Sequence, residues 1–161
     1  MHPPSLPDRS IEAYAAVTDD DRLERLRELT ATLGEARILH LNSTATGGGV
    51  AELLRSIVPL CRDLGLDDNW LVMDAGDDFF EVTKAIHNGL QGSESPLTEA
   101  MKTTYREVNE RNAAELEKTY DVVVIHDPQP LGAIESIRET MPEAAIVWRC
   151  HIDLTDPVEE Y

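Results

Sequence analysis

The sequence has few of the features that mark specialised classes of protein. Cys61 and Cys150 are its only cysteines in 161 residues, too few and too widely spaced for a disulfide framework. No apolar run approaches the roughly 20 residues that cross a bilayer, and the first ten residues lack the apolar segment of a secretion signal. We therefore expect a cytoplasmic protein with two reduced thiols and no membrane partner.

Positive charge is also scarce. Lys and Arg number 14 against 31 Asp and Glu, which gives a formal net charge of −17. A surface this acidic repels phosphate backbones and anionic lipids, so nucleic acid is not an expected partner. The acidic residues are spread along the chain, which argues against a disordered acidic tail. The composition indicates adaptation to high salt, because salt screens the self-repulsion of such a surface.

Common nucleotide-binding fingerprints are missing too. The glycines at 47, 48 and 49 do not fit the GxGxxG pattern, because Ala45 and Val50 break its register, and no P-loop lysine follows them. The histidines show no tight metal-ligand spacing. NAD binding, NTP hydrolysis and a metal centre all lose support, and we expect neither a metal nor a cofactor.

What the sequence does contain is an alternation of strand and helix patterns. A helix with leucines on one face is predicted over 19–33. Strands are predicted over 37–41, 70–73, 121–126 and 145–150, and helices over 50–64, 78–89, 98–117 and 130–140. This order predicts an α/β fold, a Rossmann-like parallel sheet flanked by helices, over 37–161, after a one-helix extension over 1–36. Trp70 and Trp148 lie in predicted strands and are expected in the core.

Polar segments follow each predicted strand. They are NSTATGGG after the first, DAGD after the second, DPQP after the third and HID after the fourth. In a parallel sheet these segments meet at one edge, where ligands bind. Because glycines expose backbone N–H groups and the next helix adds its positive end, the glycine run predicts a site for phosphate or sugar hydroxyls, or else an empty tight turn.

Other side chains at this edge can each have more than one role. His151 either exchanges a hydrogen bond with a ligand near neutral pH or caps the strand. Asp127 and Asp153 bind sugar hydroxyls, hold a metal or act as acid and base, although Asp127 also suits a helix N-cap. His87 and its polar neighbours Asn88 and Gln91 are either a hydroxyl-recognition set or an ordinary polar helix end.

Four stretches, HLNSTATGGGVAELLRSIVPL, FFEVTKAIHNGLQG, VVVIHDPQPLGAI and WRCHIDLTDP, resemble in order and spacing the N-terminal lobe of the trehalose glycosyltransferring synthases. These are retaining transferases of the two-lobed GT-B class, related to glycogen synthase. The resemblance covers residues 37–157 or so. It implies transfer of glucose from a nucleotide-glucose, ADP- or UDP-glucose, to glucose, giving α,α-trehalose with retention; the nucleotide-sugar is a substrate rather than a cofactor.

The resemblance also implies residue roles. Gly47, Gly48 and Gly49 would face the donor diphosphate, and His151 would be the catalytic histidine beside the donor sugar. The acceptor side would comprise Asp127, Gln129, His87, Asn88 and Gln91. Arg149 and Asp153 would support the histidine.

The nucleotide-binding lobe of that family would follow the last residue here, Tyr161. We therefore expect residues 1–161 to be an incomplete N-terminal lobe without transferase activity of its own, and we expect its last strand to be an exposed edge that favours homo-oligomers. Two alternatives stay open: a retaining transferase with another acceptor, of sucrose or glycogen type, and a non-catalytic sugar-binding subunit.

The acidic composition generates the first prediction. Thermal unfolding followed by circular dichroism should shift upward by several degrees, on the order of 5 °C, between dilute buffer and molar KCl, because screening relieves charge repulsion in the folded state. An unchanged midpoint across this range would remove the idea of salt adaptation.

Overall fold

The structure, a computed structural model, describes residues 1–94 and 96–159. Its helices are α1 (Asp20–Leu33), α2 (Gly49–Asp63), α3 (Asp77–Leu90), α4 (Glu99–Ala114) and α5 (Ile134–Thr140). Its strands are β1 (Arg37–Asn42), β2 (Asp67–Val72), β3 (Val122–His126) and β4 (Ala145–Arg149). Two short 3₁₀ segments, Ile11–Ala16 and Leu131–Ala133, complete the list.

The four strands form one parallel sheet in the order β2-β1-β3-β4. Each crossover between parallel strands passes through at least one helix, as the strand–helix alternation requires. The prediction of a Rossmann-like α/β fold is therefore confirmed. None of the helices in the described residues is long and apolar enough to cross a membrane.

The sheet has an apolar layer on each face. Leu39 and Leu41 of β1 pack with Val123 and Ile125 of β3 in a cluster that also includes Phe79 and residues of α4 and α5. The alternate positions of the sheet face the other way, where Trp70 and other side chains pack against α2 in a second cluster. Polar groups occupy several of these alternate positions, and they matter for the site described below.

Several element ends differ from the sequence-based expectation. β2 begins at Asp67 rather than at residue 70, because its polar first residues are extended and pair with β1 from Arg37 onward. α4 ends at Ala114, three residues before 117. The N-terminal residues are not wholly irregular, because His2 forms an antiparallel bridge with Val72 at the outer edge of β2. The side chains of Asp19 and Thr98 cap α1 and α4 by accepting backbone N–H groups of the first turn.

The prediction that Trp148 lies in the core is wrong, and the leucine face of α1 is largely exposed. Of the leucine face of α1, only Leu23 is buried, while Leu26, Leu29 and Leu33 are each 42–45% exposed. Trp148 is 38% exposed rather than in the core. Among the described residues β4 pairs only with β3, so one edge and much of its surface have no covering element. The boundary between residues 36 and 37 stays a prediction.

The exposed edge at β4 generates the second prediction. Val147 is 48% exposed on an unpaired edge strand, so the chain should self-associate in dilute solution, and Val147→Lys should shift it toward the monomer. Light scattering at rising concentration measures this. Leu26→Lys is the matched control, because it adds the same charge at a comparably exposed apolar residue of α1. A wild-type monomer, or an equal effect of the two variants, would contradict the edge-strand explanation.

Candidate functional site

A polar pocket with a volume of about 500 Å³ opens at the carboxyl ends of β1 and β3. Its lining comes from the turn after β1, the second half of α3 and the segment after β3. The lining includes most of the predicted binding residues: Gly47, Gly48, Gly49, His87, Asn88, Asp127 and Gln129. The convergence expected from the order of the elements is therefore present in this part of the site.

The glycine loop opens the start of α2 to the pocket. Gly47 has a φ of 81°, a left-handed conformation that side chains rarely adopt. Gly48 is the N-cap of α2, and no side chain caps the first N–H groups of this helix. A Cβ added at any of the three glycines would meet no atom within 4 Å. The loop therefore presents unpaired N–H donors and the positive end of the helix dipole to open space.

Asn42 fixes the start of this loop. The Trp70 indole N–H donates to Asn42 Oδ1 at 2.7 Å, and Asn42 Nδ2 donates to the carbonyl of Thr44 at 2.9 Å. Asn42 and Trp70 are each at least 96% buried. The prediction that Trp70 lies in the core is confirmed, but the sequence analysis missed its hydrogen bond to Asn42. The position of Asn42, a polar residue directly after a predicted apolar strand, was the signal that could have indicated it.

Asp127 ties the ends of β3 and β4 together. Its φ is 65°, and it is the only non-glycine residue with a positive φ in the described part of the chain. Its carboxylate accepts the His151 backbone N–H at 2.7 Å, and its carbonyl accepts the Trp148 indole N–H at 3.1 Å. The alternative role as a helix N-cap is wrong, because the short helix that follows has Pro130 as its N-cap and the Asp127 carboxylate bonds the His151 N–H instead. Asp127 instead caps the segment that carries His151 while facing the pocket.

Helix α4 holds the segment after Asp127. The Tyr105 hydroxyl donates to the Pro128 carbonyl at 2.6 Å, and Asn109 Nδ2 donates to the Gln129 carbonyl at 3.1 Å. Burial raises the pKa of Tyr105 to about 12, so its hydroxyl remains a donor at neutral pH. Gln129 Oε1 is buried and has no hydrogen-bond partner within the described residues. Helix α4 thus holds the backbone of this segment, while the buried amide oxygen of Gln129 keeps unused bonding capacity.

The end of α3 supplies the other polar wall. His87 and Asn88 line the pocket, and so do Thr83 and Lys84 one turn earlier, which sequence reasoning did not select. Their spacing of three and four residues from His87 and Asn88 was the signal that places all four on one helix face. Gln91 follows the end of the helix, is exposed and does not line the pocket. The structure therefore separates Gln91 from its predicted partners.

His151, the predicted catalytic histidine, does not line the pocket, and neither do its predicted supporting residues Arg149 and Asp153. His151 Nε2 lies 3.0 Å from His126 Nδ1, so it reaches the pocket wall through a second histidine. The Asp153 carboxylate accepts the backbone N–H and hydroxyl of Thr155, which lowers its pKa, and no bond joins it to His151. A supporting role for Asp153 thus finds no contact, because its side chain turns back on its own segment.

His126 stays neutral at physiological pH. Its burial, followed by the nearby His40, His151 and Arg149, lowers its pKa to about 3. Arg149 therefore acts electrostatically on His126. Within residues 1–94 and 96–159, no group of three or more His, Cys, Asp or Glu side chains is arranged to hold a metal ion.

The fold and the pocket define a Rossmann-like α/β domain with a ligand site at the carboxyl edge of its sheet. Residues 40–161 match a family described as trehalose synthase, N-terminal domain, and the chain belongs to this family. It is 44% identical over 155 residues to the trehalose synthase of Thermococcus litoralis, covering 95% of this chain and 37% of that protein. The resemblance inferred from the four sequence stretches is confirmed.

More distant relatives extend the same likeness. The chain is 40% identical over 152 residues to the trehalose synthase of Rubrobacter xylanophilus, covering 92% of this chain and 36% of that protein. It is 32% identical over 142 residues to the trehalose phosphorylase of Pleurotus pulmonarius, covering 81% of this chain and 18% of that protein. The chain thus spans little more than a third of the length of the trehalose synthases that it matches.

The conformation of Asp127 generates the third prediction. Asp127→Ala removes the acceptor for the His151 N–H, and alanine has no polar side chain to stabilise the left-handed conformation of this residue. The free energy of unfolding should therefore fall by about 1–3 kcal/mol. Asp127→Asn keeps an acceptor oxygen and tolerates this conformation, so it should lose less than about 1 kcal/mol. Urea unfolding measures both; equal losses would rule out the capping role.

Proposed function

We propose that this chain is the acceptor-side lobe of a retaining GT-B glucosyltransferase. The complete enzyme transfers glucose from a nucleotide-glucose to glucose and forms α,α-trehalose. The observation that carries the proposal is the polar pocket at the carboxyl edge of the sheet, in a chain that is 44% identical to a trehalose synthase. The nucleotide-glucose is a substrate, and the proposal requires no further cofactor.

The glycine loop supports the donor side of this proposal. Backbone N–H groups at a helix start are well suited to a diphosphate, because they donate without adding side-chain bulk and carry the positive end of the dipole. Gly47, Gly48 and Gly49 provide such groups beside Lys84, whose ammonium adds a full positive charge to the same pocket. These residues hold the leaving diphosphate when the second lobe closes over it.

The polar wall opposite supports the acceptor side. Sugar hydroxyls both donate and accept, so a pocket that binds them needs acceptors and donors of mixed type. Gln129, Asn88 and His87 line the pocket with amide and imidazole groups. Asp127 contributes a carboxylate whose second oxygen is not used by the His151 N–H. We assign these four residues to the acceptor glucose.

The phosphorylase relatives support a second candidate. A trehalose phosphorylase 32% identical to this chain shares the matched region, and a helix start that binds a diphosphate also suits inorganic phosphate. The higher identity to the synthases favours the synthase activity. The two reactions are distinguished by their substrates, nucleotide-glucose with glucose on one side and trehalose with phosphate on the other.

The fourth prediction tests the assignment of activity and acceptor together. The chain joined to its nucleotide-binding lobe should form trehalose from ADP- or UDP-glucose and glucose, while residues 1–161 alone should form none. Gln129→Leu should raise the KM for glucose by about 3–10-fold and change the KM for the donor less than about twofold, because one neutral hydrogen bond is lost on the acceptor side. Trehalose is quantified by chromatography and its linkage by NMR.

Gln91→Leu is the matched control, because it makes the same substitution at an exposed residue outside the pocket. It should leave both KM values within about twofold of the wild type. Production of glucose 1-phosphate from trehalose and phosphate, without trehalose synthesis from a nucleotide-glucose, would replace the synthase by the phosphorylase. Equal effects of the two leucine variants on the KM for glucose would contradict the assignment of Gln129 to the acceptor.

A further inference from the structure

Four titratable side chains form a line across the sheet, one from each strand or its end. Asp68 Oδ1 of β2 lies 3.4 Å from His40 Nε2 of β1. His40 Nδ1 lies 2.9 Å from His126 Nε2 of β3, and His126 Nδ1 lies 3.0 Å from His151 Nε2, just beyond β4. Asp68 and His126 are each 1% exposed, whereas His151 is exposed at the far end. The line therefore joins a buried carboxylate to the edge of the candidate site.

The strand register produces this line. Asp68 is paired with Ile38, and His40 stands two residues further along β1. His40 is paired with Val124, and His126 stands two residues further along β3. His126 is paired with Arg149, and His151 stands two residues beyond that. Steps of two residues keep every side chain on one face of the sheet, and each is the diagonal neighbour of the next.

The carboxylate at one end sets the direction of every hydrogen bond in the line. A carboxylate accepts hydrogen bonds, and neither Asp68 oxygen has a hydrogen-bond partner within the described residues, so His40 Nε2, 3.4 Å away, is the N–H that faces it and His40 Nδ1 is left as an acceptor. His126 must then donate from Nε2 and accept at Nδ1, which requires His151 to donate from Nε2. The lowered pKa of His126 keeps this ring neutral, so it does not donate in both directions. Each neutral ring therefore donates from Nε2 and accepts at Nδ1, like the ring before it.

The surroundings of the line favour this orientation. The Cys61 thiol of α2 lies beside Asp68, and burial together with that carboxylate raises the pKa of Cys61 to about 12, so the thiol remains protonated. Arg62 of α2 donates to the Asp68 carbonyl at 2.6 Å, and Arg149 of β4 adds positive charge near His126. The positive charge of Arg149 opposes protonation of the central ring, His126.

We propose that Asp68, His40 and His126 are positioning residues that hold His151 as its Nε2–H tautomer, so that Nδ1 presents a lone pair to the sugar hydroxyl it binds. The inference rests on the proposed function for the identity of the ligand. It adds a requirement of its own: the group that meets His151 Nδ1 must donate a hydrogen bond. A sugar hydroxyl meets this requirement, and a phosphate oxygen does not.

The fifth prediction is spectroscopic. The 161-residue chain contains five histidines, so long-range ¹H–¹⁵N correlation of the histidine-labelled protein at neutral pH gives a simple spectrum. His40, His126 and His151 should all show a protonated Nε2 and an unprotonated Nδ1. In Asp68→Asn, the amide either donates to or accepts from His40, so the single orientation should be lost and His151 should show a mixture of tautomers.

Asp67→Asn is the matched control, because it removes the same charge one residue away, at an exposed carboxylate that bonds Asn69 rather than a histidine. His40→Gln, measured in parallel, separates His126 from Asp68 by another route and should also give a mixture at His151; it decides the matter if Asp68→Asn does not fold. A wild-type His151 protonated at Nδ1, or a folded Asp68→Asn or His40→Gln protein that keeps the wild-type tautomer, would overturn the proposal.

The complete enzyme provides the functional readout. Asp68→Asn should lower kcat/KM for trehalose formation about tenfold or more relative to Asp67→Asn, because a buried carboxylate that sets a histidine tautomer controls how the ring meets substrate. An equal kcat/KM in the two variants would overturn the role in catalysis. The tautomer measurement needs no substrate. A failure of trehalose synthesis would therefore contradict the proposed function and leave the proposal about the histidine tautomers unaffected.

Discussion

The register of the parallel sheet decides where the chemically important side chains lie. Because β2, β1, β3 and β4 run in the same direction, their carboxyl ends share one edge, and the turn after β1 meets the segment after β3 there. The same register offsets the polar residues of successive strands by two positions, so they meet diagonally on one face. A slip of one residue in either pairing would turn those side chains to the opposite face.

The face toward α2 is unusual because polar groups replace part of its apolar layer. Burying Asp68 and His126 is unfavourable unless they meet polar partners, and the sheet places the Asp68 carboxylate 3.4 Å from His40 Nε2 and His126 Nε2 2.9 Å from His40 Nδ1. Asn42 and Trp70 repeat the diagonal arrangement one step nearer the pocket. A layer of mutually bonded polar groups has fewer alternative arrangements than an apolar one, so it fixes the glycine loop and His151 in orientation as well as in position.

Much of this arrangement follows from the sequence, and the rest depends on contacts that no local pattern encodes. The order of elements predicts the sheet, and the polar segments after strands predict the pocket around Gly47 and Asp127. Sequence patterns did not place Trp148, whose burial depends on whether β4 has a second neighbour. They also missed the contacts of His126 with His40 and His151, because contacts across 86 and 25 positions need the strand register, which hydrophobic periodicity does not determine.

Charge explains why the pocket suits a sugar better than a diphosphate when this domain acts alone. The donor diphosphate carries at least two negative charges, while the chain has a net charge of −17 and Lys84 is the only lysine or arginine among the described residues that line the pocket. Helix-start N–H groups contribute about half a positive charge, which does not balance the ligand. A neutral sugar would need no such balance, and Gln129, Asn88 and His87 line the pocket with amide and imidazole groups that suit hydroxyls. If the proposed function holds, tight binding of a nucleotide-glucose would need cations from outside the described residues, because the acidic field of this domain repels the diphosphate.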